Sequence, residues 1–147
     1  MDPKHPMQDL IFYMSGALDE SHVVLMRNLV HRMAEEQNWT IEAPVFIDET
    51  EEPDTSNVDD VPIRTVGAVL RIYSGLPPWD ATLPKEVDRA LFNEVSFVVR
   101  EIAGLSKSAG LEFAAELDGE AVGWIENGIL NKMLRDGLLE PWRRSLS

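Results

Sequence analysis

The sequence predicts an α+β fold, and three features of its patterning carry that expectation. Leu10-Ile11-Phe12-Tyr13-Met14 is apolar at every position, as a strand buried on both faces would be. Two stretches repeat apolar residues at helical spacing: Val23, Met26, Val30 and Met33, then Val87, Leu91, Val95, Val98 and Ile102. Other segments alternate with a period of two, Arg64–Tyr73 and Leu111–Leu117 among them.

Residues 1–8 contain Pro3 and Pro6 and little to pack, so they read as a flexible lead-in to a single domain over 9–147. Asp19 is the expected N-cap of the first helix, which should run to about Gln37. Thr40–Asp48 alternates, with Ile41, Ala43, Val45 and Ile47 on one face. Pro44 cannot donate to a ladder on its blocked side, which assigns this strand to a sheet edge. An acidic loop is expected over 48–62. In the next strand Val66, Ala68, Leu70 and Ile72 point inward. Thr82 is the expected cap of the second helix, with Pro84 in its first turn and Gly104 near its end.

Asp118-Gly119 is a strong two-residue hairpin signal. A simple register then sets Leu117 against Glu120, Ala115 against Val122 and Phe113 against Trp124, so that Val122 and Trp124 share a face with Phe113. Asn127-Gly128 should end that strand. A terminal helix follows, using Leu130, Met133, Leu134 and Leu138, until Pro141 interrupts it. This order matches a ferredoxin-like split βαββαβ, with an added C-terminal β-hairpin strand and a terminal helix. In that topology the first and third strands are central and the second lies at an edge. Tyr13, Phe46 and Tyr73 would face away from the two main helices, where the terminal helix, through Leu130, Leu134 and Leu138, or a second subunit would cover them.

Charge is the most lopsided property. Residues 1–60 carry 14 Asp and Glu against 3 Lys and Arg, while residues 61–147 carry 12 against 10. Asp48 to Asp60 alone holds seven carboxylates and no base. Such a patch attracts cationic partners and repels nucleic acid and anionic lipid. A sheet displaying tyrosines could otherwise suggest RNA stacking, but a net charge of -13 excludes it. The chain has no cysteine, which removes disulfides, thiolate nucleophiles and Cys-based zinc sites and fits a reducing, cytoplasmic setting. No stretch approaches the length of a membrane span, and residues 1–10 lack a signal-peptide core.

Catalytic motifs do not stand out. The chain has no nucleophile elbow and no phosphate-cradling glycine loop, and the acidic run lacks the glycine and spacing of a calcium loop. His22 and His31 are nine residues apart on one helix, about 900° of rotation at ~100° per residue, so they point to opposite sides. No cofactor and no metal site is expected. Carboxylate pairs for acid–base chemistry occur by chance among 26 acids, which ranks a small enzyme third among the readings.

The leading expectation is a non-enzymatic acidic protein that occludes a basic protein partner, as an immunity protein or antitoxin does to a toxin such as a nuclease. Asp48, Glu49, Glu51, Glu52, Asp54, Asp59 and Asp60 would meet the partner's lysines and arginines, with Trp79 as an apolar anchor. Neutralising Glu49, Glu51, Glu52 and Asp54 should then slow association, with a clear salt dependence. The alternative is a ligand-binding or regulatory module that forms a homodimer through an open sheet face bearing Ile11, Tyr13, Val69 and Tyr73.

Overall fold

The computed structural model describes residues 7–15, 19–51, 63–73 and 84–146. These form a mixed α+β structure with six antiparallel strands in one sheet and three helices. In chain order they are β1 (Met7–Ser15), α1 (Glu20–Glu36), β2 (Val45–Glu51), β3 (Ile63–Tyr73), α2 (Lys85–Ala109), β4 (Glu112–Leu117), β5 (Glu120–Glu126) and β6 (Ile129–Leu130). A π-type helical segment, Met133–Leu139, then runs directly into α3 (Glu140–Ser145). The strands lie in the order β2-β3-β1-β4-β5-β6. The wholly apolar β1 is therefore central, and the strand that follows Pro44 is an edge, both as expected.

The first helix begins as its sequence predicts. The Asp19 carboxylate accepts from the Ser21 N–H at 2.9 Å, and Val23, Met26, Leu29, Val30 and Met33 are buried. In α2, Leu91, Val95, Val98, Val99 and Ile102 are buried. Its boundaries differ from expectation. The helix opens at Lys85 with Pro84 in the cap position, while the expected Thr82 cap lies outside the described residues. Gly104 is interior; Gly110 ends the helix in the left-handed region, φ 69°, and donates its N–H to the Ser106 carbonyl.

β2 also differs. It starts after Pro44 and continues to Glu51, so Asp48, Glu49 and Glu51 are strand residues, not the start of a loop. Each has a partner in β3: Val66, Thr65 and Ile63 respectively. An edge strand tolerates such charges because its outer side faces water. The remaining residues of the expected loop, 52–62, lie outside the described residues. Register corrects one face as well. Phe46 pairs with Ala68, and Ala68 with Phe12, so Phe46 belongs with the buried row and not with Tyr13. Pairing with β3 sets the phase of this strand, and Ile41 and Ala43 are not part of it.

The β4–β5 turn forms at Asp118 and Gly119, with φ of 50° and 85°, as its dipeptide predicts. Leu117 faces Glu120, but a bulge follows at Val122. Ala115 then faces Gly123, Ala114 faces Trp124, and Phe113 faces Ile125. Trp124 is thereby moved to the face opposite Phe113. One inserted residue is enough, because side chains alternate with a period of two. Asn127-Gly128 ends β5 at Glu126, as expected, but the sheet continues beyond it. With φ of 53° and 76° the pair makes a second tight turn into the two-residue β6.

The C-terminal segment, one of the two covers expected for the face bearing Tyr13, does not lie there. It packs on the same face as α1 and α2, not on the opposite one. Asn131 turns the chain there: its side-chain carbonyl accepts from the N–H of Trp124 in β5 and of Leu134, both at 3.0 Å. Trp142, 1% exposed, meets Phe92 of α2 edge-on at 5.5 Å and donates its indole N–H to Asp88 at 2.7 Å. Arg89 donates to the Leu146 carbonyl at 3.0 Å. Pro141 does not stop the helical segment. It sits in the first turn of α3, where its missing N–H costs little.

Candidate functional site

Every described helix packs on the face formed by Leu10, Phe12, Val66, Ala68, Phe113 and Ala115, which join the helices in one core cluster. No described helix lies on the other face. Strand register builds that face row by row. Ile47, Gly67, Tyr13, Ala114 and Trp124 stand side by side across five strands. The adjacent row is Val45, Val69, Ile11 and Glu116. Ile11, Tyr13, Ile47, Val69 and Trp124 are half-buried and Val45 is 51% exposed, whereas Tyr73, at the far end of β3, is buried. At the centre of the first row only glycine fits. A Cβ on Gly67 would lie 1.9 Å from the Phe12 carbonyl oxygen, so the backbone of β1 fills the space a side chain there would need.

Carboxylates frame these apolar rows. Glu49 and Glu112 lie beyond the first row, Glu116 interrupts the second, and Asp9 lies beyond it. Arg71 supplies positive charge among the described residues of this face, ion-paired to Asp9 at 3.3 Å and to Glu42 at 3.6 Å. The Tyr13 hydroxyl donates to Glu116 at 2.6 Å. That bond, then partial burial, then the negative charge of Glu116, pushes the tyrosine's pKa above its ordinary value. Tyr13 therefore stays protonated and holds Glu116 upright between the strands.

No family model, curated protein or solved structure matches this chain.

The acids expected to contact a partner are divided by the strand they occupy. Glu49 stands exposed on the face without helices. Asp48 points to the other side, where Arg64 grips it through two bonds, Nε to Oδ1 at 2.8 Å and a terminal nitrogen to Oδ2 at 2.7 Å. Arg64 also pairs with Glu20 at the start of α1. These contacts hold the Asp48 carboxyl below its ordinary pKa and raise that of Arg64. Asp48 is thus committed within the chain. Glu51 ends β2, and Glu52, Asp54, Asp59, Asp60 and Trp79 lie outside the described residues.

The sequence reading missed Trp124 as a member of this face. Gly123 was the available signal, since glycine inside a strand often marks a bulge or a close approach. It also missed Glu94, 5% exposed in α2, whose carboxylate accepts from the Thr40 N–H at 3.1 Å and from the Thr40 hydroxyl. Glu94 anchors the connection between α1 and β2. A groove of about 370 Å³ runs between α1 and α2, with Leu25, Leu29 and Leu105 along it and Arg32 bridged to Glu101 at 2.7 Å. Ser108 on its rim donates back to the Leu105 carbonyl at 3.4 Å, an ordinary helical serine contact. Among the described residues no three of His, Asp and Glu come together as metal ligands would. Nor is any helix among them long and apolar enough to cross a membrane.

Proposed function

We propose that this chain is a non-enzymatic binding protein that occludes a basic protein partner, in the manner of an immunity protein or antitoxin acting on a toxin such as a nuclease. The observation that carries this reading is the face without helices: two apolar rows framed by Asp9, Glu49, Glu112 and Glu116, with Arg71 already paired. Ile11, Val69, Ile47 and Trp124 would supply the desolvated contact. The carboxylates would orient the partner and speed its approach. The same charges disfavour nucleic acid and anionic membrane as ligands. A cysteine-free chain acting in the cytoplasm is consistent with this role.

The core order β2-β3-β1-β4, with helices after β1 and β3, supports a ferredoxin-like split βαββαβ, to which β5, β6 and the terminal helical segment are added. That topology serves many functions, so the reading rests on the face and not on the fold.

A homodimer through the same rows is the second reading, favoured by the C-terminal segment lying on the opposite side. Like charges facing each other across such an interface oppose it.

The test is capture from native lysate at low and high salt, using the wild-type chain and two variants, Ile11→Asp and Glu112→Lys. Stoichiometric retention of one basic protein, released by salt and lost in both variants, supports occlusion. Retention indifferent to salt and to both substitutions overturns it. Sedimentation at several concentrations checks the second reading, which requires a tight dimer that Ile11→Asp dissociates.

A further inference from the structure

The sheet has two edges, and they are unequal. β6 is two residues long and passes at once into the helical segment. β2 is seven residues long and pairs with β3 on one side; among the described residues no strand pairs with its other side. Along an antiparallel strand every second residue turns its N–H and C=O away from the neighbour. Among the described residues, the outward N–H and C=O groups of Val45–Glu51 have no strand beside them, which makes this edge a template for an added strand.

We infer that the β2 edge accepts an extended basic segment of the partner as a seventh strand of the sheet. This rests on the reading of the partner as basic and specifies how part of it is held. Charge selects the occupant. On the face without helices, β2 displays Val45, then Ile47, then Glu49. A strand laid beside it would set alternate side chains against these three, two of them aliphatic and the third a lysine or arginine. Asp48 does not compete, because Arg64 holds it on the opposite side. A second copy of the chain is a poor occupant. Antiparallel pairing of two β2 strands about their midpoint would bring Asp48 onto Asp48 and Glu49 onto Ile47, between chains of net charge -13. Charges on an edge also discourage self-pairing in general, which leaves the edge open to a strand of opposite charge.

The experiment uses the full chain, isotope-labelled for NMR, and a ten-residue peptide whose one face carries valine, valine and lysine in succession, with threonine at the intervening positions. Control peptides carry N-methyl groups at every second residue, one for each phase of the alternation. Strand addition requires the peptide's N–H groups; charge attraction alone does not. The expected result is slowed hydrogen exchange at outward-facing amides of β2 when the unmodified peptide is added. Affinity should fall about tenfold or more for one methylated phase and for the Glu49→Lys chain. Equal binding of all three peptides, or no protection anywhere in β2, overturns the edge inference. If the peptides bind alike and perturb only Ile11, Tyr13 and Trp124, the edge is excluded while the basic-partner reading stands. If no peptide binds, the edge inference fails, and lysate capture decides the reading on its own evidence.

Discussion

Leu134 occupies the space that a side chain at residue 123 would need: a Cβ built on Gly123 would lie 2.2 Å from the Cβ of Leu134 and 2.9 Å from its Cα. Gly123 pairs with Ala115, and Ala115 with Phe12, so this contact places the C-terminal helical segment on the face that α1 and α2 already cover. The opposite face, with Tyr13 and Trp124, is left without it. One close approach between two residues thus marks the side of the sheet on which the C-terminal segment lies.

Gly123→Ala should destabilise the fold by about 1–3 kcal/mol, because the added methyl collides with Leu134 and cannot be absorbed by a flexible side-chain end. Gly104→Ala should do the reverse. A Cβ at that interior helical position meets nothing within 4 Å, so better helix propensity should add about 0.5–1 kcal/mol. Urea denaturation of the two variants beside the wild type checks both signs.

Asp48 makes part of the stability depend on acid. Its pKa is lowered in the folded chain by the Arg64 hydrogen bonds, relative to an ordinary value of 3.8. A depressed carboxylate pKa gives stability that is complete above the unfolded value and is lost as pH falls through the lower, folded one. The Asp48→Asn variant should therefore be less stable than the wild type at neutral pH, and the gap should close as pH drops below about 4. Urea midpoints measured for both chains across that range test it. A gap independent of pH would separate Asp48 from the effect.

Tyr13 behaves oppositely. Glu116 raises its pKa above the ordinary 10.0, so the contact stabilises the fold in full below that value and is lost as pH rises through the raised one. Glu116→Gln should bring the Tyr13 titration back down, followed by NMR of a carbon-labelled tyrosine ring. Tyr13→Phe should cost only about 0.5 kcal/mol, since the hydroxyl is partly solvated.

Glu94 is the buried acid whose removal should be felt most. Glu94→Ala leaves the Thr40 N–H without its acceptor and should cost about 1–3 kcal/mol. A double-mutant cycle with Thr40→Val should show coupling between the two positions, because the Thr40 hydroxyl bonds the same carboxylate. Additive effects would show that the Thr40 hydroxyl adds nothing and that Glu94 acts through the Thr40 N–H and through packing.

What the sequence by itself determined was local. The capping carboxylate of Asp19, the apolar stripe of α1 and the left-handed pair Asp118-Gly119 each follow from backbone chemistry within a few residues. The centrality of β1 followed too, since a run apolar on both faces is stable only between neighbours. The extent of β2 did not follow, because pairing with β3 drew Asp48, Glu49 and Glu51 into a strand that their composition argued against. The face assigned to Trp124 was decided by a bulge at Val122, and the position of the terminal helical segment by Leu134 on Gly123 and Trp142 on Phe92. Both are contacts between residues far apart in space until the sheet forms. A pattern with a period of two specifies which residues share a face, but not which face it is. Only the tertiary structure settles that, by choosing the side on which the helices find enough apolar surface to bury.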